Sequence, residues 1–394
     1  MSTRQLFFQH IGQTSPFPLQ LEIEKAEGIY LIDKNGKKYI DLVSGVSVSN
    51  LGHRHPKVIK AIKDQLDKYT HLMVYGEYIQ TPQVKLAKLL SDNLPKKLDC
   101  TYFVNSGSEA IEGSLKLAKR YTGRTEIIAF KNAYHGSTHG ALSILGNEKF
   151  KKSYRPLLPD IKFIEFNNIN DLENITKKTA CVVIEPIQAE AGIIEPINDF
   201  LNTLRKKCNK TGTLLIFDEV QTGFGRTGSL FAFSHYNVVP DILALAKAMG
   251  GGMPIGAFIS SKKIMDSFKS NPVLGHITTF GGHPVSCAAA LASLQVLLED
   301  KIIEQIETKG KLFRKYLKHP SIKEIRGKGL LLSVELENKD KLMNFHKTCL
   351  NNGIIFDLFL FCDTAFRIAP PLIITENEIK NICDTLNNLI DKYT

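Results

Sequence analysis

The chain has no CxxC pair, no long basic block, no internal repeat and no low-complexity tract. It also has no apolar run approaching the ~18 residues that a membrane-spanning helix requires. Each absence removes a class of function. The N-terminus, MSTRQLFFQHIGQTSPFP, lacks an apolar core of its own, so neither export nor membrane insertion is expected. The cysteines, Cys100, Cys181, Cys208, Cys287, Cys349, Cys362 and Cys383, are odd in number and not spaced for metal. They suit reduced thiols in a cytoplasmic protein rather than a disulfide framework or a structural zinc site. The formal net charge of +10 comes from scattered lysines without a basic-aromatic pattern. This argues against nucleic acid as a partner and for solubility with attraction of anionic small molecules. What remains is a globular chain of 394 residues, 43% hydrophobic and 23% charged, long enough for two domains with separate cores.

The chain is organised around residues 213–260. The apolar run 214–217 ends in Asp218 and Glu219, which places carboxylates at the C-terminal edge of a buried strand, the ligand side of an α/β sheet. Lys247 follows in an otherwise uncharged stretch, ILALAKAMGGG, whose glycines disfavour helix and permit close backbone approach. Desolvation among apolar neighbours disfavours the ammonium form, so this lysine can serve as a nucleophilic amine. A lone lysine of this kind more often snorkels out of a core.

Earlier in the chain, residues 19–42 read as short strands around the turn Asn35-Gly36, a hairpin signal. Gly52, His53 and His55 then precede Pro56 and a helical pattern; two histidines with no nearby acid or cysteine make a structural segment rather than a metal site. Tyr75 and Tyr78 lie in an aromatic loop, as pocket walls or as core. Strand 102–104 runs into Ser106-Gly107-Ser108, where Ser106 and Glu109 have the spacing of a capping box. Such a strand end with a helix N-terminus is a ready phosphate site, although most such matches bind nothing. Tyr134-His135-Gly136 follows another strand. Strands 162–166 and 181–184 and helix 199–210 complete an alternation that implies a mostly parallel sheet with right-handed crossovers. Thr279 precedes helix 285–298, which it either caps or leaves for a ligand. Three further strand segments are closed by helix 376–393. Arg367, between Phe366 and Ile368, projects a planar fork from an apolar frame, suited to a carboxylate.

The segment LAKAMGGGMPIGA, preceded by IFDEVQTGFGRTG, resembles the signature of the class III aminotransferases, a pyridoxal-phosphate family that includes ornithine, acetylornithine and 4-aminobutyrate aminotransferases. The NSGxEA turn at residues 105–110, EPIQxExG from Glu185 and the RxxPPL-type segment at Arg367 extend the resemblance over essentially the whole chain. It implies an α/β, type I pyridoxal-phosphate transferase fold, a mostly parallel sheet with helices on both faces plus a smaller α+β domain. The large cofactor domain would span residues 53–293, and the small domain 1–52 with 294–394. Lys247 is implied to carry the cofactor as an internal aldimine, with Asp218 on the pyridine nitrogen and Gln221 on the phenolic oxygen. A protonated ring is the electron sink for this chemistry. Ser106, Gly107 and Ser108 are implied at the phosphate, and Tyr134 is implied against the ring with His135 beside it. Thr279 is implied to reach the phosphate of a neighbouring subunit, giving a homodimer with shared sites.

On the substrate side, the resemblance places Gln188 and Glu190 near the substrate and gives Arg367 the α-carboxylate of glutamate or 2-oxoglutarate. Glu190 would pair with Arg367 while the amine donor is bound. Many relatives carry arginine after the glycine of the YHG segment, where it grips a substrate carboxylate; here Ser137 cannot supply that contact. The expected activity is amino transfer from an amino acid or ω-amino donor to a keto acid, 2-oxoglutarate foremost, from a donor whose far end is neutral, cationic or differently placed. An acetylornithine or ornithine aminotransferase proper and an amino-aldehyde aminomutase are the alternatives. The alanine before Lys247 favours a transaminase, and the intact Lys247 and Asp218 disfavour a non-catalytic binding protein.

Overall fold

A computed structural model describes residues 1–390 and 392. Its centre is a sheet of seven strands, in spatial order Cys100–Val104, Gly256–Ser260, Ile242–Leu245, Leu214–Asp218, Thr179–Ile184, Glu126–Phe130 and Ile161–Ile164. Gly256–Ser260 runs antiparallel to both neighbours, and the other pairings are parallel. Thr179–Ile184 and Leu214–Asp218 are buried along their whole length, which is why the sequence shows them as continuous apolar runs rather than alternating ones.

Alternation along Leu214–Asp218 divides its side chains between two cores. Leu214 and Ile216 join Ala110, Ile111 and Leu115 of the helix Gly107–Thr122 on one face. Leu215 and Phe217 join Phe200 and Leu204 of the helix Phe200–Thr211 in the larger core. Helices therefore cover both faces, and the ends of the parallel strands are left to carry polar residues.

Two smaller sheets draw on both ends of the chain. Ile23–Glu27, Tyr30–Asp33 and Lys38–Asp41 form a meander that takes up Ile354–Ile355 as a parallel fourth strand. Its expected turn is present: Gly36 has φ of 81°, and Asp33 Oδ1 accepts from the amides of Asn35 and Lys37. The other sheet orders Ile322–Lys328, Leu331–Leu336, Ala365–Ile368 and Asp357–Leu358, all antiparallel. The expected boundary after residue 293 falls inside the unbroken helix Pro284–Glu299, which packs on Pro56–Leu66 and Thr81–Asp92.

Several expectations are corrected. The strand placed at 162–166 is Ile161–Ile164, and the last helix runs Glu376–Ile390, while 391, 393 and 394 of its expected span lie outside the described residues. A helix Thr3–His10, closed by a Ser2–Gln5 capping box, was not anticipated; it buries no residue, so no apolar stripe announces it. Thr279 caps nothing: the N-cap of Pro284–Glu299 is His283, whose side chain accepts from the Val285 amide. Among the described residues no helix is long and apolar enough to cross a membrane.

The antiparallel strand has a specific use. It brings Gly256 against the Ser106 turn so closely that a Cβ there would overlap the Ser106 carbonyl oxygen, a backbone atom that cannot rotate away. Gly256→Ala should therefore destabilise the cofactor-free protein by about 1–3 kcal/mol, the usual cost of overpacking. Thermal unfolding that shows the variant at least as stable as the parent would contradict this.

Candidate active site

A cavity of about 470 Å³ opens where the parallel strands end, and the sequence motifs meet in it. Lys247 follows strand Ile242–Leu245 after one residue, Ala246. It adopts a left-handed conformation, φ 50°, at the start of a short 3-10 turn that Gly251 and Gly252 close with φ of 58° and 106°. A lysine held in this region is strained, and such strain gathers at functional sites. Its Nζ donates to Gln221 Oε1 at 3.3 Å. Burial lowers its pKa to about 8, with the Arg367 charge adding to the effect and Glu190, Asp218 and Glu185 opposing it.

Asp218 ends strand Leu214–Asp218 and is buried. Its Oδ1 accepts from the Val220 amide at 3.0 Å, and its Oδ2 lies 2.8 Å from His135 Nδ1. The sequence marked both Asp218 and Glu219 as site acids, but only Asp218 faces the pocket. Glu219 accepts instead from the amides of Ala232 and Phe233 and from the Thr222 hydroxyl, and burial pushes its pKa up to about 7. Successive residues at a strand end point to opposite sides.

At the next strand end Ser106, Gly107 and Ser108 open the helix Gly107–Thr122. Ser106 Oγ accepts from the Glu109 amide, but Glu109 reaches past Ser106 to the backbone and side-chain amides of Asn105, so the expected capping box forms only by half. Gly107 is required by proximity, since a Cβ there would sit 2.8 Å from Val220 Cγ1. Gly136, at φ 124°, lets the Tyr134–Ser137 loop lie against Ser108, whose Oγ accepts from the Ser137 amide at 3.2 Å. Tyr134 lines the pocket, its amide donating to Glu185 Oε1 and its hydroxyl 3.2 Å from Ser137 Oγ.

Glu190 also lines the pocket, and Arg367 stands behind it, fully buried on strand Ala365–Ile368. The Arg367 Nη2 to Glu190 Oε1 distance is 2.5 Å, and Nη1 reaches Asp357 Oδ2 at 3.3 Å. The guanidinium stacks over the Phe359 ring. Asp357 was missed in the sequence. Burial raises its pKa and Arg367 opposes the rise.

Other expected residues lie elsewhere. Gln188 is buried with its Nε2 on the Lys131 carbonyl, so it braces the loop instead of facing a ligand. Tyr75 lines a different cavity and Tyr78 is exposed. Thr279 is exposed and lies outside the pocket lining. His53 is 2.8 Å from Asp41 Oδ2, an acid the sequence did not place near it, and no metal-holding cluster occurs among the described residues.

Two buried nitrogens of pocket-lining residues, His135 Nε2 and Gln221 Nε2, have no partner. Orphaned buried polar atoms call for a ligand. With a helix N-terminus, a buried carboxylate and an amine of lowered pKa, they suit a small phosphorylated aromatic carrying an aldehyde.

The Lys247 amine reacts only when neutral, and the lowered pKa places that transition near pH 8. Covalent capture of pyridoxal phosphate by the cofactor-free chain, trapped with borohydride, should accelerate as pH rises to about 8 and then level. A rate still climbing steeply toward pH 10 would assign Lys247 an ordinary pKa.

Comparison with known proteins agrees with this geometry. The family model for aminotransferase class-III matches residues 12–390. The acetylornithine aminotransferase of Methanopyrus kandleri is 39% identical over 384 residues, 96% of each chain. The LysW-aminoadipate semialdehyde/glutamate semialdehyde transaminase of Sulfurisphaera tokodaii is 42% identical over 322 residues, 80% of this chain and 82% of the other. Among solved structures, the ornithine aminotransferase of Toxoplasma gondii superposes with a TM-score of 0.91 at 30% identity, covering 100% of this chain and 96% of that one. A further structure of that enzyme holds PLP at partial occupancy in its active site. With a matching motif at each strand end of the pocket and similarity running from residue 12 to residue 390, the chain belongs to the class III aminotransferases, and pyridoxal phosphate is its cofactor.

Proposed function

We propose that this aminotransferase takes its amino group from a donor whose end remote from the reacting amine is not an α-carboxylate, and passes it to a keto acid, 2-oxoglutarate foremost, held by Arg367. One observation carries the donor assignment. Among the described residues that line the pocket, Lys247 is the only lysine or arginine, and neutral Ser137 lies against Tyr134 at its edge. A carboxylate desolvated there would lack a cationic partner.

In the chemistry, Ser106, Gly107 and Ser108 would hold the cofactor phosphate at the helix N-terminus, and Tyr134 would cover the ring face. Asp218, oriented by His135 and the Val220 amide, would keep the ring nitrogen protonated. Gln221 Nε2, lacking a protein partner, would donate to the ring hydroxyl oxygen. Bound there, pyridoxal phosphate supplies an aldehyde carbon that takes up the amino group and a ring that accepts the electron pair left by the departing proton. Lys247 would anchor the cofactor through its Nζ, and the same Nζ would take up and return the donor's proton as a general base and acid. Glu190 would occupy Arg367 while the donor is bound and yield to the keto acid afterwards.

A second reading has its own support: relatives 39% to 42% identical are named acetylornithine aminotransferase. Initial rates over a panel of amines, ω-amino acids and acetylornithine, with 2-oxoglutarate and pyruvate as acceptors, separate the two. Donors with a neutral or cationic far end should lead, and Ser137→Arg should raise kcat/KM for acetylornithine by roughly ten- to hundredfold, the value of one charge-assisted contact. If the unmodified enzyme uses acetylornithine at least as well as every other donor, this second reading replaces the first.

We further propose a homodimer in which Thr279 serves the partner's phosphate site; its exposed position, outside its own chain's pocket, supports this. Lys247→Ala chains and Thr279→Glu chains, each inactive alone, should regain about a quarter of parental activity when mixed and reassembled, because half the chains pair unlike and each mixed pair rebuilds one site. No regain in a mixture shown to contain mixed dimers would assign Thr279 to its own chain.

A further inference from the structure

Arg367 carries two carboxylates, and they approach from different spaces. Strand Asp357–Leu358 pairs antiparallel with Ala365–Ile368 in a register that sets Asp357 directly opposite Arg367. Nη1 donates to Asp357 Oδ2 and Nη2 to Glu190 Oε1, while Nε is buried with no partner. Glu190 lines the Lys247 pocket, whereas Asp357 lines a separate cavity of about 1050 Å³ beside Phe356 and His346. A ligand reacting at Lys247 therefore meets Arg367 from the Glu190 side.

Nε and Nη2 share one edge of a guanidinium and together make a fork for a carboxylate. Glu190 uses only half of that fork: its Oε1 takes Nη2, and its Oε2 is committed to the Leu360 amide at 3.1 Å. Displacing Glu190 would open Nη2 beside an Nε that is already free. Displacing Asp357 would open Nη1 alone, on the side away from the pocket.

We propose that Asp357 is a specificity-determining residue that stays on Nη1 through both halves of the reaction, leaving Arg367 a single fork and setting, by its charge, how strongly that fork attracts acidic acceptors. The inference rests on the reading of Arg367 as the carboxylate site. The ionised trio of Asp357, Glu190 and Arg367 carries a net negative charge, so a dicarboxylate keto acid brings like charge into a buried place. Asparagine at 357 keeps an oxygen for Nη1 and removes the charge. The stronger field of Arg367 then benefits a two-pronged ligand more than the one-pronged Glu190.

The test is steady-state kinetics with 2-oxoglutarate and with pyruvate for the parent, Asp357→Asn, Asp357→Ala and Arg367→Ala holoenzymes. Asp357→Asn should lower KM for 2-oxoglutarate roughly three- to tenfold, with a smaller fall for pyruvate, the change lying in KM rather than kcat. Asp357→Ala, which also frees the arginine to swing, should reduce kcat. Arg367→Ala should raise KM for both acceptors. If Arg367→Ala raises KM while Asp357→Asn leaves it unchanged or higher, the role of Asp357 is overturned and the arginine site stands. If Arg367→Ala leaves both acceptors unaffected, the carboxylate is held elsewhere and both readings fall.

Discussion

Partial withdrawal of the Lys247 amine from water is the constraint on which the rest of the site depends. A buried ammonium is costly, and a second cation nearby makes it more so; Arg367 is such a cation, and the two together push Lys247 down to about 8. Asp218, Glu190 and Glu185 limit the fall. Among the described residues none of these acids binds Lys247 directly, and its hydrogen-bond partner is the neutral Gln221 oxygen. An ion pair would have pinned the amine in its charged form. A neutral acceptor orients Nζ without holding it protonated, which suits the proposed nucleophile and proton carrier.

The same economy applies to the buried carboxylates around it. Burial pushes Glu185 up to about 7, against the pull of His135 and of the two amides it accepts from. Those amides belong to Tyr134 and Ala189, so the aromatic wall and the loop bearing Glu190 hang on one side chain. Arg226 does similar work across the chain: fully buried, it donates to the carbonyls of Leu330 and Pro370 and to Asn50. Three segments distant in sequence are thereby fixed around the GFGRTG loop that follows Asp218. Burial lowers its pKa to about 9, the mark of a cation satisfied mainly by carbonyl dipoles.

Legibility in the sequence followed physical range. Strand Leu214–Asp218 could be read because a strand buried on both faces needs an unbroken apolar run, and its polar end could be read as a site for the same reason. The turn at Ser106 was visible because helix starts have local chemistry. Features set by pairing were not. The apolar run alone does not say which of Asp218 and Glu219 faces the pocket, since that depends on the direction of the last strand residue, and only the motif resemblance singled out Asp218. Asp357 became a partner of Arg367 only through an antiparallel register, and His135 became the support of Asp218 only because their strands lie on either side of Thr179–Ile184. The antiparallel run of Gly256–Ser260 and the contact of Gly256 with Ser106 are tertiary facts without a local signature.

This division explains why the family was legible and the donor was not. The residues proposed for the cofactor sit at strand ends and helix starts, where short motifs fix geometry locally, and Lys247, Asp218, Gln221 and residues 106–108 line one cavity. The groups proposed for the substrate come from separate places: Glu190 from the loop after Thr179–Ile184, Arg367 from a strand of another sheet, and Asp357 from the strand beside it. The charge that a substrate meets is the sum over these groups, and no single segment encodes it. A neutral Ser137 at one edge and an arginine already shared by two acids at the other leave a pocket whose cationic character resides in Lys247 itself, the group that the proposed chemistry requires to be neutral.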